Sequence, residues 1–141
     1  MANEIKRKVE LWLCGTLAVA VPSVRFFPTH GGSESDDAAE IEPPYCEVAV
    51  DGAPEKVLAQ ESTWTVRVAL GYLSHIDETD TPAHSATVRA IYEALGTLGR
   101  GYQAAQQLVV HGIDIESTDT FSDDQSQIHG DVFNLVLGVS G

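Results

Sequence analysis

The sequence predicts an α+β domain: an antiparallel to mixed sheet with two main helices packed on one face. Three observations lead there. Residues 5–20 and 82–95 carry apolar side chains at helical spacing. The stretch "ESTWTVRVALGYL" alternates at period two, as a half-buried strand does. The remaining strand candidates come in hairpin-like runs and do not alternate with helices, which argues against a doubly wound parallel sheet.

Taken in order, the first helix rests on Ile5, Val9, Trp12, Leu13, Thr16 and Ala20, with Asn3 as its cap and Pro22 as its stop. Lys6, Arg7 and Lys8 form the single basic cluster of the chain and read as a solvated helix face. "SVRFFP" is a short strand candidate, and "YCEVAV" sets Cys46, Val48 and Val50 on one side of a second. "DGAPEK" is a turn. In the long strand, Trp64, Val66, Val68, Leu70 and Tyr72 point one way and Thr63, Thr65, Arg67 and Ala69 the other. A second helix opens with Thr81 as cap and Pro82 in its first turn, carries Val88, Ile91, Tyr92 and Leu95 as its stripe, and stops at Gly96. "QQLVVHGIDIES" and "GDVFNLVLGVS" then close the chain as a hairpin. In its last strand Phe133, Leu135, Leu137 and Val139 alternate with Val132, Asn134 and Val136, so both faces are largely apolar and one is free to meet a helix or another subunit. The expected core is Trp12, Trp64, Val66, Val68, Leu70, Val88, Ile91 and Leu95.

At 141 residues and 43% hydrophobic composition the chain, 1–141, reads as one domain able to bury a core. Acidic loops are expected at 28–44 and 117–128. The net charge of −13 repels nucleic acid phosphate, which argues against a general DNA binder. No stretch reads as a signal peptide and none nears the roughly 18 apolar residues of a membrane span, so synthesis in a reducing cytoplasm is expected. Cys14 and Cys46 then read as buried free thiols.

The chemistry-bearing stretch is "HGGSESDDAAEIEPPYC", with Glu34, Asp36, Asp37, Glu40 and Glu42 beside His30. Ser33 has no hydrophobic strand leading into it, so it is no nucleophile elbow. The glycines of "GTLGRG" follow a helix where a phosphate loop would open one, and no Lys closes the pattern. His30, His75, His84, His111 and His129 lack the close pairing of zinc ligands, and the acidic run lacks the fixed glycine of a calcium-binding hand. No catalytic, cofactor or metal residue is assigned.

In its order of elements the chain resembles the tail terminator, or tail completion, family of long-tailed bacteriophages, also called minor tail proteins. The likeness runs through "IKRKVELWLCGTLAVAV", the Pro-aromatic lead "EPPYCEVAV", "TWTVRVALGYL", "SATVRAIYEAL" and the closing hairpin, and so covers nearly the whole sequence. Neck and stopper proteins are similar too. The resemblance implies a non-enzymatic virion subunit made in the host cytoplasm, without cofactor. It implies a homo-oligomeric ring, commonly a hexamer, at the tail-neck junction, between the tail tube protein and the neck or head-completion protein. DNA would pass through without specific binding, and acidic loops on the bore would repel it. The loop carrying Glu34, Asp36, Asp37, Glu40 and Glu42 is then expected at the lumen or stacking face, and Phe133, Leu135 and Leu137 at the oligomer interface. The alternatives are a small metal-dependent enzyme and a monomeric adaptor domain.

Elemental analysis separates the first alternative: dialysed protein purified without added metal should contain no stoichiometric zinc, and one bound zinc per chain would revive a metal-dependent enzyme.

Overall fold

The computed structural model describes residues 2–29, 44–57, 63–75, 80–123, 125 and 127–140. Their order is α1 (Ala2–Ala20), β1 (Arg25–Pro28), β2 (Tyr45–Val50), β3 (Glu55–Lys56), β4 (Thr63–His75), α2 (Asp80–Gly96), β5 (Gly101–Gln103), β6 (Leu108–Asp123) and β7 (Ile128–Ser140). The strands form one sheet in the order β1-β2-β4-β7-β6-β5, with β3 continuing the β2 side of β4. β1 runs parallel to β2 and every other pair is antiparallel, so the sheet is mixed, in an α+β fold.

The alternation of β4 decides which face is buried. Val66, Val68, Leu70 and Tyr72 lie opposite Leu137, Leu135, Phe133 and Asp131 on β7, and Val68, Leu70 and Tyr72 lie opposite Val50, Val48 and Cys46 on β2. These apolar residues are all buried, on the face that both helices cover. From α1 come Ile5, Val9, Trp12, Leu13 and Leu17; from α2 come Ile91, Ala94 and Leu95. Of the expected core residues, Trp64 and Val88 are partly buried and pack against this cluster.

Some expectations shift. On α1 the buried stripe ends on Leu17, and Ala20 is exposed, because the helix closes with Val21 N–H donating to Leu17 and the chain turns at Pro22. The helix starts at Ala2, so Asn3 lies inside it. On α2, Tyr92 is 56% exposed: it sits beside the buried line of Ile91 and Leu95, turned to solvent.

The larger correction concerns 117–128. Ser117–Asp123 is not a loop but the second half of β6, paired with Ile128–Asn134. Its Thr and Ser residues fit a pleated strand, yet they leave no apolar alternation to read. Register shifts between Val110 and Gly112 and between Ile115 and Ser117 mark bulges around His111 and Glu116. The first bulge keeps Ile113 and Ile115 opposite buried Leu137 and Leu135, where a regular strand would have turned them outward.

Val68 is 1% exposed between Val50 and Leu135. Val68→Asp buries an unpaired charge at a cost of several kcal/mol, comparable with a domain's total stability of about 5–15 kcal/mol. The variant should lose its cooperative melting transition in circular dichroism; melting like the parent would mean that the facing of β4 is wrong.

Candidate functional site

Beneath the first turns of α2 the sheet's buried face becomes polar. Continuing inward from Tyr72 along β4 is Ser74, and inward from Phe133 along β7 is Asp131. His84 of α2 descends between them: its Nδ1 lies 2.5 Å from Ser74 Oγ and its Nε2 2.5 Å from Asp131 Oδ2. Thr120, opposite Asp131 on β6, donates to the other carboxylate oxygen at 2.7 Å. The imidazole stacks near the rings of Tyr72 and His129, at 5.0 and 4.9 Å between centroids. With Nε2–H donating to Asp131, Nδ1 accepts the Ser74 hydroxyl, so both ring nitrogens of His84 have a partner.

Serine, histidine and aspartate in a row suggest a nucleophile, but the enclosure argues for a clamp. Ser74 and His84 are 4% and 7% exposed, so an electrophile reaches Ser74 Oγ only if α2 lifts. What the cluster does in place is fasten α2 to β4 and β7, and through Asp131 to β6, with three hydrogen bonds, two of them to a carboxylate. Sequence reasoning named His84 and His129 only as histidines without the pairing of zinc ligands and missed the clamp. The available signal was polar residues at the inward positions where β4 and β7 reach their shared end.

A second buried polar contact ties α1 to the sheet. Glu10 is fully buried and accepts the backbone N–H of Val50, at the end of β2, at 2.8 Å. One turn further on, burial and then the Glu10 carboxylate push the Cys14 thiol up to about 12. Burial, and after it the charges of Cys14 and Glu47, raise Cys46 further above the ordinary thiol range. Both cysteines are free and buried, and neither has the thiolate character that a nucleophile or metal ligand needs.

Phe133, Leu135 and Leu137, expected at an oligomer interface, lie in the chain's own core with 2%, 1% and 0% exposure. Pairing with β4 turns these larger side chains beneath the helices, so no second subunit reaches them. The residues between them, Val132, Asn134 and Val136, occupy the opposite face, which neither helix covers. That face also carries Ala69, Gly71 and Leu73 of β4, with acidic side chains toward β6. Arg67 pairs with Glu116 at 2.5 Å, and Asn134 donates to Ser117 and Asp119. The ring of Phe121 lies over Gly130, the residue opposite it on β7, where a side chain would collide with the ring.

Glu34, Asp36, Asp37, Glu40 and Glu42, together with His30 and Ser33, lie outside the described residues. Among the described residues no group of three or more His, Cys, Asp or Glu is placed to hold a metal ion. His75 is exposed at the end of β4, and exposed His111 meets Ser140 Oγ at 2.6 Å.

No protein-family model matches the chain, and no curated protein does. Among solved structures the chain is similar to one in the "Virion of native gene transfer agent (GTA) particle", at 15% identity and a TM-score of 0.53, covering 99% of this chain and 96% of that one. At that identity the likeness shows a shared fold.

Removing the imidazole tests the clamp. His84→Ala strands Ser74 and one oxygen of Asp131 in a closed space, and should lower stability by about 2 kcal/mol in urea denaturation. A variant as stable as the parent would show that the contacts do not form.

Proposed function

We propose that the chain is a structural, non-enzymatic subunit of a phage-like virion, and that copies of it form a ring closing the tail tube at the tail-neck junction. The observation that carries this reading is the end-to-end likeness of fold to a chain of the gene transfer agent virion, with neither chain leaving a sizeable part unmatched. The sequence resemblance to tail terminators supports the finer role. The chemistry is compatible: a net charge of −13 suits a wall past which DNA slides without being gripped. Neither of the two described helices covers the outer face of the sheet, which suits an assembling subunit.

In this reading the partners are further copies of the chain, in a hexameric arrangement by analogy with tail terminators, the tail tube protein on one side and the neck or head-completion protein on the other. Glu34, Asp36, Asp37, Glu40 and Glu42 then face the lumen or the stacking surface. Subunit contacts fall on the sheet's outer face and edges, since Phe133, Leu135 and Leu137 are used within the subunit.

Tailed particles from cells that make this protein test the reading. Mass spectrometry should find the chain in purified particles, and antibody-gold labelling should mark the head-proximal end of the tail. Particles lacking the chain would overturn the virion reading, and label spread along the tube would overturn the terminal position.

A further inference from the structure

We infer that subunits join edge to edge, the free edge of β6 in one copy taking the free edge of β1 in the next, so that the sheet continues around the ring. The inference rests on the ring reading and names the surfaces that close it.

β6 spans Leu108–Asp123, but β5 pairs with only Leu108, Val109 and Val110. Beyond them, among the described residues, no strand covers its outer edge. A long uncovered edge has backbone donors and acceptors ready for another strand. Beside it, on the helix side, opens a cleft of about 530 Å³ lined by Leu95, Leu98, Ile113 and Ile115 together with Arg100 and Asp114. A strand added to β6 would set its alternate side chains over that cleft.

Charge selects the occupant. β6 carries Asp114, Glu116 and Asp119 and no Lys or Arg; Glu116 is paired with Arg67 of β4, so Asp114 and Asp119 are the acids left to the edge. Two such edges meeting about a two-fold axis would bring like charges together, which destabilises strand pairing. Among the described residues the opposite edge of the same sheet is β1, paired on one side only. From Val24 to Thr29 its one charged residue is Arg25, which is exposed. An acidic edge on one copy and a basic one on the next are complementary, and two different edges make a head-to-tail contact, the kind that closes into rings.

Cysteine cross-linking reads this directly, because the native thiols are buried. Thr29, exposed just past β1 with its N–H bonded to Val48, and exposed Ser117 on β6 offer attachment points that leave Arg25 and the β6 acids in place. Thr29→Cys and Ser117→Cys chains, mixed at high concentration and treated with a short bis-maleimide, should give the mixed dimer in several-fold excess over either homodimer. A chain carrying both substitutions should give a ladder that stops at the copy number of the ring. A dominant Ser117→Cys homodimer would overturn the inference in favour of two-fold pairing. Oligomers seen by light scattering without either cross-link would overturn the edge contact while leaving the ring standing. A chain that neither self-associates nor enters particles would overturn both.

Discussion

The pairing of β4 with β7 is the constraint on which the rest of the molecule depends. Thirteen residues of β4, Thr63 to His75, each have a partner on β7, and neither strand has a bulge against the other. In a ladder that long, parity at one position is parity at all of them, because a slip by one residue would exchange the two faces entirely. The uninterrupted alternation from Val66 to Tyr72 therefore chooses the side on which helices can dock. It also decides that Phe133, Leu135 and Leu137 are core, and that the His84 clamp forms at one end of the ladder.

The elements legible in the sequence are those with one strong period. β4 could be read from its own residues because polar and apolar side chains separate cleanly, and α1 because Ile5, Val9, Trp12 and Leu13 share a face. β7 was legible as a strand but not in its facing: Val132 and Val136 are nearly as apolar as the residues between them, so the sequence carries no vote on which side is inward. The second half of β6 was hidden for another reason. Its inward positions are Thr118, Thr120 and Ser122, and the bulges around His111 and Glu116 break the period on which strand reading relies. The His84 clamp was the least visible feature. It joins residues 10 and 47 positions apart that only the sheet order brings together.

The two faces of the sheet divide the work of the chain. One buries its apolar side chains under α1 and α2 and fastens each helix with a buried polar contact, Glu10 to the end of β2 and His84 to the hairpin. Such contacts add little net energy but penalise misplacement, since a displaced helix would leave a carboxylate or imidazole unsatisfied. The other face is left uncovered by either helix, with small residues at its centre and acids toward β6. A chain whose helices are pinned in this way presents that face and its edges as a rigid surface, and rigid surfaces lose less ordering entropy on association.

The buried thiols have a consequence outside the fold. Disulfide exchange proceeds through the thiolate, and burial holds Cys14 and Cys46 as neutral thiols within the packed interior. Their covalent state is therefore shielded from the redox potential of the medium. A protein with this property can pass from a reducing to an oxidising medium without acquiring cross-links, and that tolerance comes from packing, not from an absence of cysteine.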